Sequence, residues 1–295
     1  MIRMTLSEAF PDIVRVKEPL APYTLLRLGG PAEYLAQPRT VAELAAVLTH
    51  AGREQTPARV LGVGSNVLVR DEGVKGIVLR LAAPAFAKIE VSGRKVRAGS
   101  GAALAALISE SARNSLAGLE TLVGIIATVG GAVRCNAGDR AGEIGQYVRR
   151  VEVLDHRNQC VWREHDELHF SENRSNLDDP VIVTAEFELE PDAPDAILKR
   201  LQRSWIVRKN TQPYSFELAA RIFRNPRGLQ ASALIEAAGL KKTRVGGAEV
   251  SERNANYVVA GQGASARDVL RLIELIQAKV REDSGVVLER DMLVW

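Results

Sequence analysis

Apolar positions along this chain switch between a helical and an alternating period. Thr40 is a suitable N-cap for a run that places Val41, Leu44, Ala45 and Leu48 on one helical face. Ala102–Asn114 has the same period through Leu104, Leu107, Ile108 and Ala112. Ser265 to about Asp283 has it through Val269, Leu272, Ile273, Ile276 and Val280. Further helices are predicted from about Asp195 to Lys209 and over Ala231–Ala238, the latter ended by Gly239. Short apolar runs predict strands at Ala32–Gln37, Arg59–Leu61, Ile77–Leu81, Val181–Leu189, Ile222-Phe223, Asn256–Ala260 and Val286–Trp295. Lys88–Arg97 and Val148–Arg163 predict hairpins turning at Ser92-Gly93 and His156–Asn158. This mixture implies an α+β protein with mixed sheets.

The 295 residues suggest two or three domains at about 100–200 residues each. The Pro191–Pro194 cluster is the best boundary. Charge changes the picture little. The balance is +3 (39 Lys+Arg, 36 Asp+Glu) and interspersed, which argues against a nucleic-acid surface. No apolar run approaches the ~18–20 residues that span a bilayer, and the start lacks a signal-peptide core, so a cytoplasmic protein is expected. Cys135 and Cys160 make no disulfide framework. His156, His165 and His169 lack ligand spacing, so no metal is expected. Cys135 reads as a small buried thiol, and Trp162 and Trp205 as packing residues. Lys199-Arg200, Arg203 and Arg208-Lys209 read as the wet face of a helix.

The glycines carry more. Gly62-Val-Gly64-Ser65-Asn66 follows a strand, and glycines two apart free successive N–H groups to face an anion. It lacks the third glycine and following helix of the dinucleotide fingerprint, and a plain hairpin turn is the competing reading. Gly124–Val133, with Asn136-Ala-Gly138 and Gly142-Glu143, is too interrupted for a core helix and too apolar for a solvent loop. It suits backbone lying flat against a large ligand, or turns packed between domains. Two such cradles without a P-loop lysine favour a pyrophosphate cofactor, FAD best.

These segments, in order, carry a resemblance. Thr24…Gly29-Gly30-Pro31-Ala32, Gly62–Asn66, Asp71-Glu72-Gly73, Thr128-Val-Gly-Gly-Ala132, Asn136-Ala-Gly138, Thr211-Gln212-Pro213, Phe223-Arg-Asn-Pro226, Leu234–Leu240, Val245–Ser251 and Ala255-Asn256 are collinear. From about Tyr23 onward the chain resembles the UDP-N-acetylenolpyruvoylglucosamine reductase family. The resemblance implies an FAD-binding fold of the vanillyl-alcohol-oxidase (PCMH) type, with subdomains at 1–82 and 83–193, and a substrate domain at 194–295. It implies FAD as cofactor, NADPH as hydride donor, a UDP-sugar substrate and a role in making peptidoglycan precursors. Gly62, Gly64, Ser65, Asn66, Gly124, Thr128, Gly130, Gly131, Asn136 and Gly138 would bind the cofactor. Gln212, Arg224, Asn225 and Asn254 would bind substrate. A monomer without nucleic-acid or membrane partners is expected.

The catalytic end departs from the family. Its Tyr-Arg-x-Ser segment reads Asn173-Arg174-Ser175-Asn176, so the arginine is kept as Arg174. Its Ala-Gly-Ser-Val-Phe-Lys-Asn-Pro reads Ala219-Ala-Arg-Ile-Phe-Arg-Asn-Pro226, so Arg221 stands where the family has its proton donor. A guanidinium can stabilise an enolate but stays protonated near neutral pH, making it a poor acid. Asp291 replaces the family glutamate on a shorter arm, and an ion pair with Arg221 is expected. Ile126-Ala127 replace Pro-Gly, Ser232-Ala233 replace Gly-Lys, and Asn254 replaces a His. Besides the family reductase, these changes leave open a diverged flavoprotein paralogue and a non-catalytic FAD- or nucleotide-sugar-binding protein.

Overall fold

The computed structural model describes residues 4–139, 141–213 and 218–295. The chain forms two compact units. One comprises residues up to Val16, Tyr34–Gly62 and Gly76–Arg208; the other comprises Lys17–Glu33, Val63–Lys75 and Lys209–Trp295.

The first unit has two cores. In one, a four-stranded sheet in the order Val14–Pro19, Pro31–Ala36, Val74–Leu79, Ala58–Val60 meets a one-turn helix α1 (Leu6–Ala9) and α2 (Val41–Arg53). The Thr40 hydroxyl caps α2, accepting from Glu43 N at 3.1 Å, and Leu44, Val47 and Leu48 are buried. The other core lies on an antiparallel sheet in the order Cys160–Glu164, Val148–Leu154, Val181–Glu188, Lys95–Gly99, Ile89–Ser92. Alternate residues (Val96, Ala98, Val151, Val153, Ala185, Phe187) join the core with α3 (Leu104–Arg113) and α4 (Val129–Arg134). The remaining positions carry charge. Arg97 and Arg150 lie 5.0 and 4.4 Å from the Trp162 ring, and Arg150 pairs with Glu186 at 3.0 Å.

Helix α5 (Pro194–Thr211) corrects one expectation. Arg200 is not merely solvated: it pairs with the buried Glu120 at 2.8 Å and with Asp192 at 2.7 Å. Arg208 is largely buried and donates to Thr121 O at 3.1 Å.

The second unit has an antiparallel sheet in the order Ala219–Arg221, Tyr257–Ala260, Ala248–Val250, Arg244–Val245. It packs with α6 (Ala231–Ala237) and α7 (Ala266–Ser284). Ser265 and Asp268 form a capping box on α7, and Gly285 ends it at φ +72°. Asp71 accepts from Ala266 N and Arg267 N at 2.9 and 3.0 Å. The expected strand over Val286–Trp295 shrinks to Leu293–Val294, parallel to Val67–Leu68. Leu288 and Met292 are both buried, four residues apart, and Asp291 N donates to Ile222 O at 2.8 Å, which bends the chain out of an extended ladder. Ile222-Phe223 lies just beyond the strand Ala219–Arg221 rather than forming one; Phe223 bridges Arg290 alone.

Candidate active site

The strand Ala58–Val60 runs parallel to Val74–Leu79, and Leu61 N still donates to Leu79 O at 2.9 Å. The chain then leaves the sheet. No backbone N–H from Gly62 to Asn66 donates to another described residue. Gly64 is buried at φ +64°, and a Cβ there would sit 2.7 Å from Thr24 Cα. A Cβ on Gly62 would meet Thr128 Oγ1 at 2.8 Å. A run of successive N–H groups without protein partners around a left-handed glycine is a ready anion nest.

The second glycine segment differs from the expectation of free, flat backbone. From Val129 it is the short helix α4, with Thr128 as N-cap. Its first amides are spent inside the protein. Val129 N donates to Ala102 O and Gly130 N to Ser100 O, both at 2.8 Å, and Gly131 N donates to Thr128 Oγ1 at 3.2 Å. Gly130 serves close approach instead, since a Cβ would lie 2.7 Å from Ser100 Cβ. Gly124 packs against Arg208 and Trp205, and Gly138 against Gly142 and Glu143. Ser100 was not singled out by sequence. It is 4% exposed, and its Oγ has no partner among the described residues.

The C-terminal end of α4 is tied down by polar contacts. Arg134 donates to Leu177 O and, at 2.6 Å, to Asp179 O; burial lowers its pKa, with Asp179 opposing. Asn136 is buried and hydrogen-bonded to Glu143, Gly145 and Ser171. Arg174 lies on a two-residue hairpin, paired with Ser171 across a turn at Asn173 (φ +56°). Its side chain is exposed, without an ion pair among the described residues. Cys135 is half-buried at the end of α4.

Arg174 belongs to the first unit; Arg221, Arg224 and Asp291 belong to the second. There the expected ion pair is present and is doubled. Arg221 Nη2 lies 3.2 Å from Asp291 Oδ2, and Arg224 Nε lies 3.3 Å from Asp291 Oδ1. The carboxylate is 11% exposed, the two guanidiniums about a third. Two cations on one anion leave the cluster with one net positive charge, open to solvent on the arginine side. The scaffold explains this. Arg221 ends the strand Ala219–Arg221, and Asn256 brackets the next residues by accepting from Phe223 N at 2.9 Å and donating to Phe223 O at 2.8 Å.

Two of the other substrate-end residues are engaged by backbone groups. Asn254 donates to Thr211 O at 2.9 Å and accepts from Asn256 N at 3.0 Å. Asn225 Oδ1 accepts from Ala231 N at 3.1 Å, at the start of α6. Gln212 makes no hydrogen bond to another described residue. Among the described residues, no group of three or more His, Cys, Asp or Glu is placed to hold a metal, and no helix is long and apolar enough to cross a membrane.

Comparison with known proteins covers both stretches of the chain. Residues 32–162 match the FAD binding domain model, and residues 212–295 match the C-terminal domain model of UDP-N-acetylenolpyruvoylglucosamine reductase. A protein of that name from Moorella thermoacetica is 41% identical over 96% of this chain and 93% of its own. UDP-N-acetylenolpyruvoylglucosamine reductase 2 of Symbiobacterium thermophilum is 38% identical over 97% and 93%. The crystal structure of the Thermus caldophilus reductase (MurB) superposes with a TM-score of 0.82 at 36% identity, covering 96% of this chain and 98% of that one. The fold is thus the expected α+β arrangement, a PCMH-type FAD-binding domain followed by the reductase C-terminal domain. The chain belongs to the UDP-N-acetylenolpyruvoylglucosamine reductase family.

Proposed function

We propose that this protein is an FAD-dependent, NADPH-using reductase that converts UDP-N-acetylglucosamine enolpyruvate to UDP-N-acetylmuramate, for peptidoglycan synthesis in the cytoplasm. The observation that carries this reading is the Arg221–Asp291–Arg224 cluster, a fixed, net-positive, solvent-open patch in a domain matching the reductase C-terminal model. Relatives named for this reaction along nearly the whole chain support it. We keep the division at 1–82, 83–193 and 194–295, and a monomer, as part of the same proposal.

The residues present fit the cofactor. The unpaired N–H groups from Gly62 to Asn66, with the Ser65 and Asn66 side chains, suit a pyrophosphate. The unpartnered Ser100 Oγ beside Gly130 offers one more polar contact. Gly124, Thr128, Gly130, Gly131 and Gly138 would supply the smooth backbone alongside. FAD held there would supply the hydride chemistry that links NADPH to the enolpyruvyl double bond.

The chain's own residues do the rest. Arg221 and Arg224 face the anionic substrate and stabilise negative charge as it spreads toward the carboxylate during hydride addition. Asp291 holds both guanidiniums in place, so little reorganisation is needed at that moment. Arg174 adds a further cation. A guanidinium is a poor acid, so the proton that completes the saturated product at the other alkene carbon comes from water. One substrate double bond is reduced and one NADPH is oxidised per turnover.

An anaerobic NADPH titration of the FAD-loaded protein, followed by substrate, tests this. NADPH should bleach the visible flavin absorption, and UDP-N-acetylglucosamine enolpyruvate should restore it. Bleaching with no substrate-dependent return would reject the proposed substrate, and a chain that cannot be loaded with FAD would reject the whole reading.

A further inference from the structure

We propose that Asn136 is a positioning residue, not a cofactor ligand: it ties the hairpin bearing Arg174 to the end of α4. The inference rests on the role proposed above for Arg174. Asn136 follows α4 at φ +44°, a left-handed conformation that asparagine tolerates better than most residues. It is 1% exposed. A side-chain amide has two N–H donors and one acceptor oxygen. Oδ1 accepts from Gly145 N at 3.0 Å, and Nδ2 donates to Glu143 Oε2 at 2.7 Å and to Ser171 O at 2.9 Å. Both donors and the oxygen are therefore engaged within the protein, and no donor is left for a ligand.

The partner geometry points to positioning. Gly145 fits only without a side chain, because a Cβ would come 2.4 Å from the Phe170 ring and 2.7 Å from Asn136 Oδ1. Ser171, which Asn136 holds, is the hairpin partner of Arg174. On the other strand, Ser175 Oγ donates to Arg134 O at 2.9 Å. Arg174 is thus flanked by two tethers, one rooted in the last turn of α4 and one just beyond its C-cap. An exposed arginine loses much rotamer freedom when it acts at one point, so fixing its backbone at both sides lowers the cost of aiming it.

The test uses Asn136→Asp, with Ser175→Ala as an independent variant. Asn136→Asp keeps the shape, the tolerance of positive φ and the acceptor for Gly145 N. It removes both donations and sets a carboxylate against Glu143. Four quantities are read: trypsin cleavage between Arg174 and Ser175 in the folded protein, FAD affinity by flavin fluorescence, flavin reduction by NADPH, and reoxidation by the enolpyruvyl substrate. Losing two buried donations should raise local opening and cleavage about tenfold. FAD affinity should stay within about twofold, reduction by NADPH should not change, and reoxidation should slow about tenfold. Adding Arg174→Ala to Asn136→Asp should slow it no further than Arg174→Ala alone, and Ser175→Ala should move cleavage and reoxidation in the same direction. A tenfold fall in FAD affinity with cleavage unchanged would make Asn136 a cofactor ligand and overturn the proposal; so would unchanged cleavage and reoxidation. If the unaltered protein shows no substrate-dependent reoxidation, the proposed function fails, while cleavage and FAD affinity still decide the tether.

Discussion

Asp291→Asn is the sharpest probe of the second unit. The substitution keeps shape and the backbone bond from Asp291 N to Ile222 O, and removes only charge. At an effective dielectric of about 20, unit charges 3.2–3.3 Å apart attract by about 5 kcal/mol. Most of that is offset by the cost of desolvating a carboxylate that is only 11% exposed. Both arginines remain about one-third in solvent, so about 1 kcal/mol net per ion pair is the appropriate scale. Losing both pairs should cost about 2 kcal/mol, a fall in melting temperature of about 8 °C for a unit of this size. Arg224→Ala alone should cost about half as much, and a double-mutant cycle between positions 224 and 291 should return about 1 kcal/mol of coupling. Thermal and urea melts of the FAD-loaded protein measure all three. A melting temperature within about 1 °C of the unaltered protein, or a coupling near zero, would show that the carboxylate does not hold the arginines, and the fixed cationic patch would fall with it.

Four further outcomes are expected. Gly64→Ala forces a Cβ to 2.7 Å from Thr24 Cα at φ +64°, so it should cost at least about 1–2 kcal/mol and weaken FAD binding, read by melting and fluorescence titration. Asn256→Ala leaves Phe223 N without its partner and Phe223 O with only the longer bond from Arg221 Nε at 3.3 Å, so it should destabilise by about 1–3 kcal/mol, while Asn256→Asp, which retains the acceptor, should cost less in the same urea melts. Burial alone would raise the Glu186 pKa, but the hydrogen bond and charge of Arg150 hold it below 4.5; its stabilisation is present above that value and is lost as pH falls through the lowered folded pKa, so the melting gap between Glu186→Gln and the unaltered protein should close under acid. Arg221→Ser restores an acid that Arg221→Ala lacks, both without the cation, so serine should reoxidise flavin with substrate about 10²-fold faster than alanine by stopped flow; equal rates would place the proton source elsewhere.

Elements with strong periodicity and local caps were legible in the sequence. Thr40 and Ser265 mark the starts of α2 and α7, and the buried faces of both are the periodic ones. What sequence missed depends on partners far along the chain. Arg200 looks solvated on its helix because nothing local announces Glu120, eighty residues earlier and buried beneath it. Helix α4 was hidden by Gly130-Gly131, which disfavour helix locally; here those glycines allow the close approach to Ser100 and Thr128 that holds the helix in place. The Arg221–Asp291 pair was legible because both positions depart from one motif pattern. The second arginine on that carboxylate was not, because the resemblance assigns Arg224 to substrate and nothing local pairs it with Asp291.

Arg221 and Asp291 are better understood as one change than as two losses. With the family's residue types, serine, lysine and glutamate, the cluster would be neutral. With Arg221, Arg224 and Asp291 it carries one positive charge, and each carboxylate oxygen meets one guanidinium. Arginine at 221 beside Arg224, with no carboxylate between them, would leave two like charges in a partly buried pocket and destabilise the unit. The shorter aspartate accepts both, at 3.2 and 3.3 Å, and stays rooted to Ile222 through its backbone. The arrangement is therefore a built cation clamp, not an eroded acid site. On the function proposed above, it would strengthen binding of an anion and stabilisation of an enolate, and would hand proton delivery to solvent. A clamp of this kind should hold substrate tightly and turn over slowly, because the group lost acts in the transition state whereas the charge gained acts in both states.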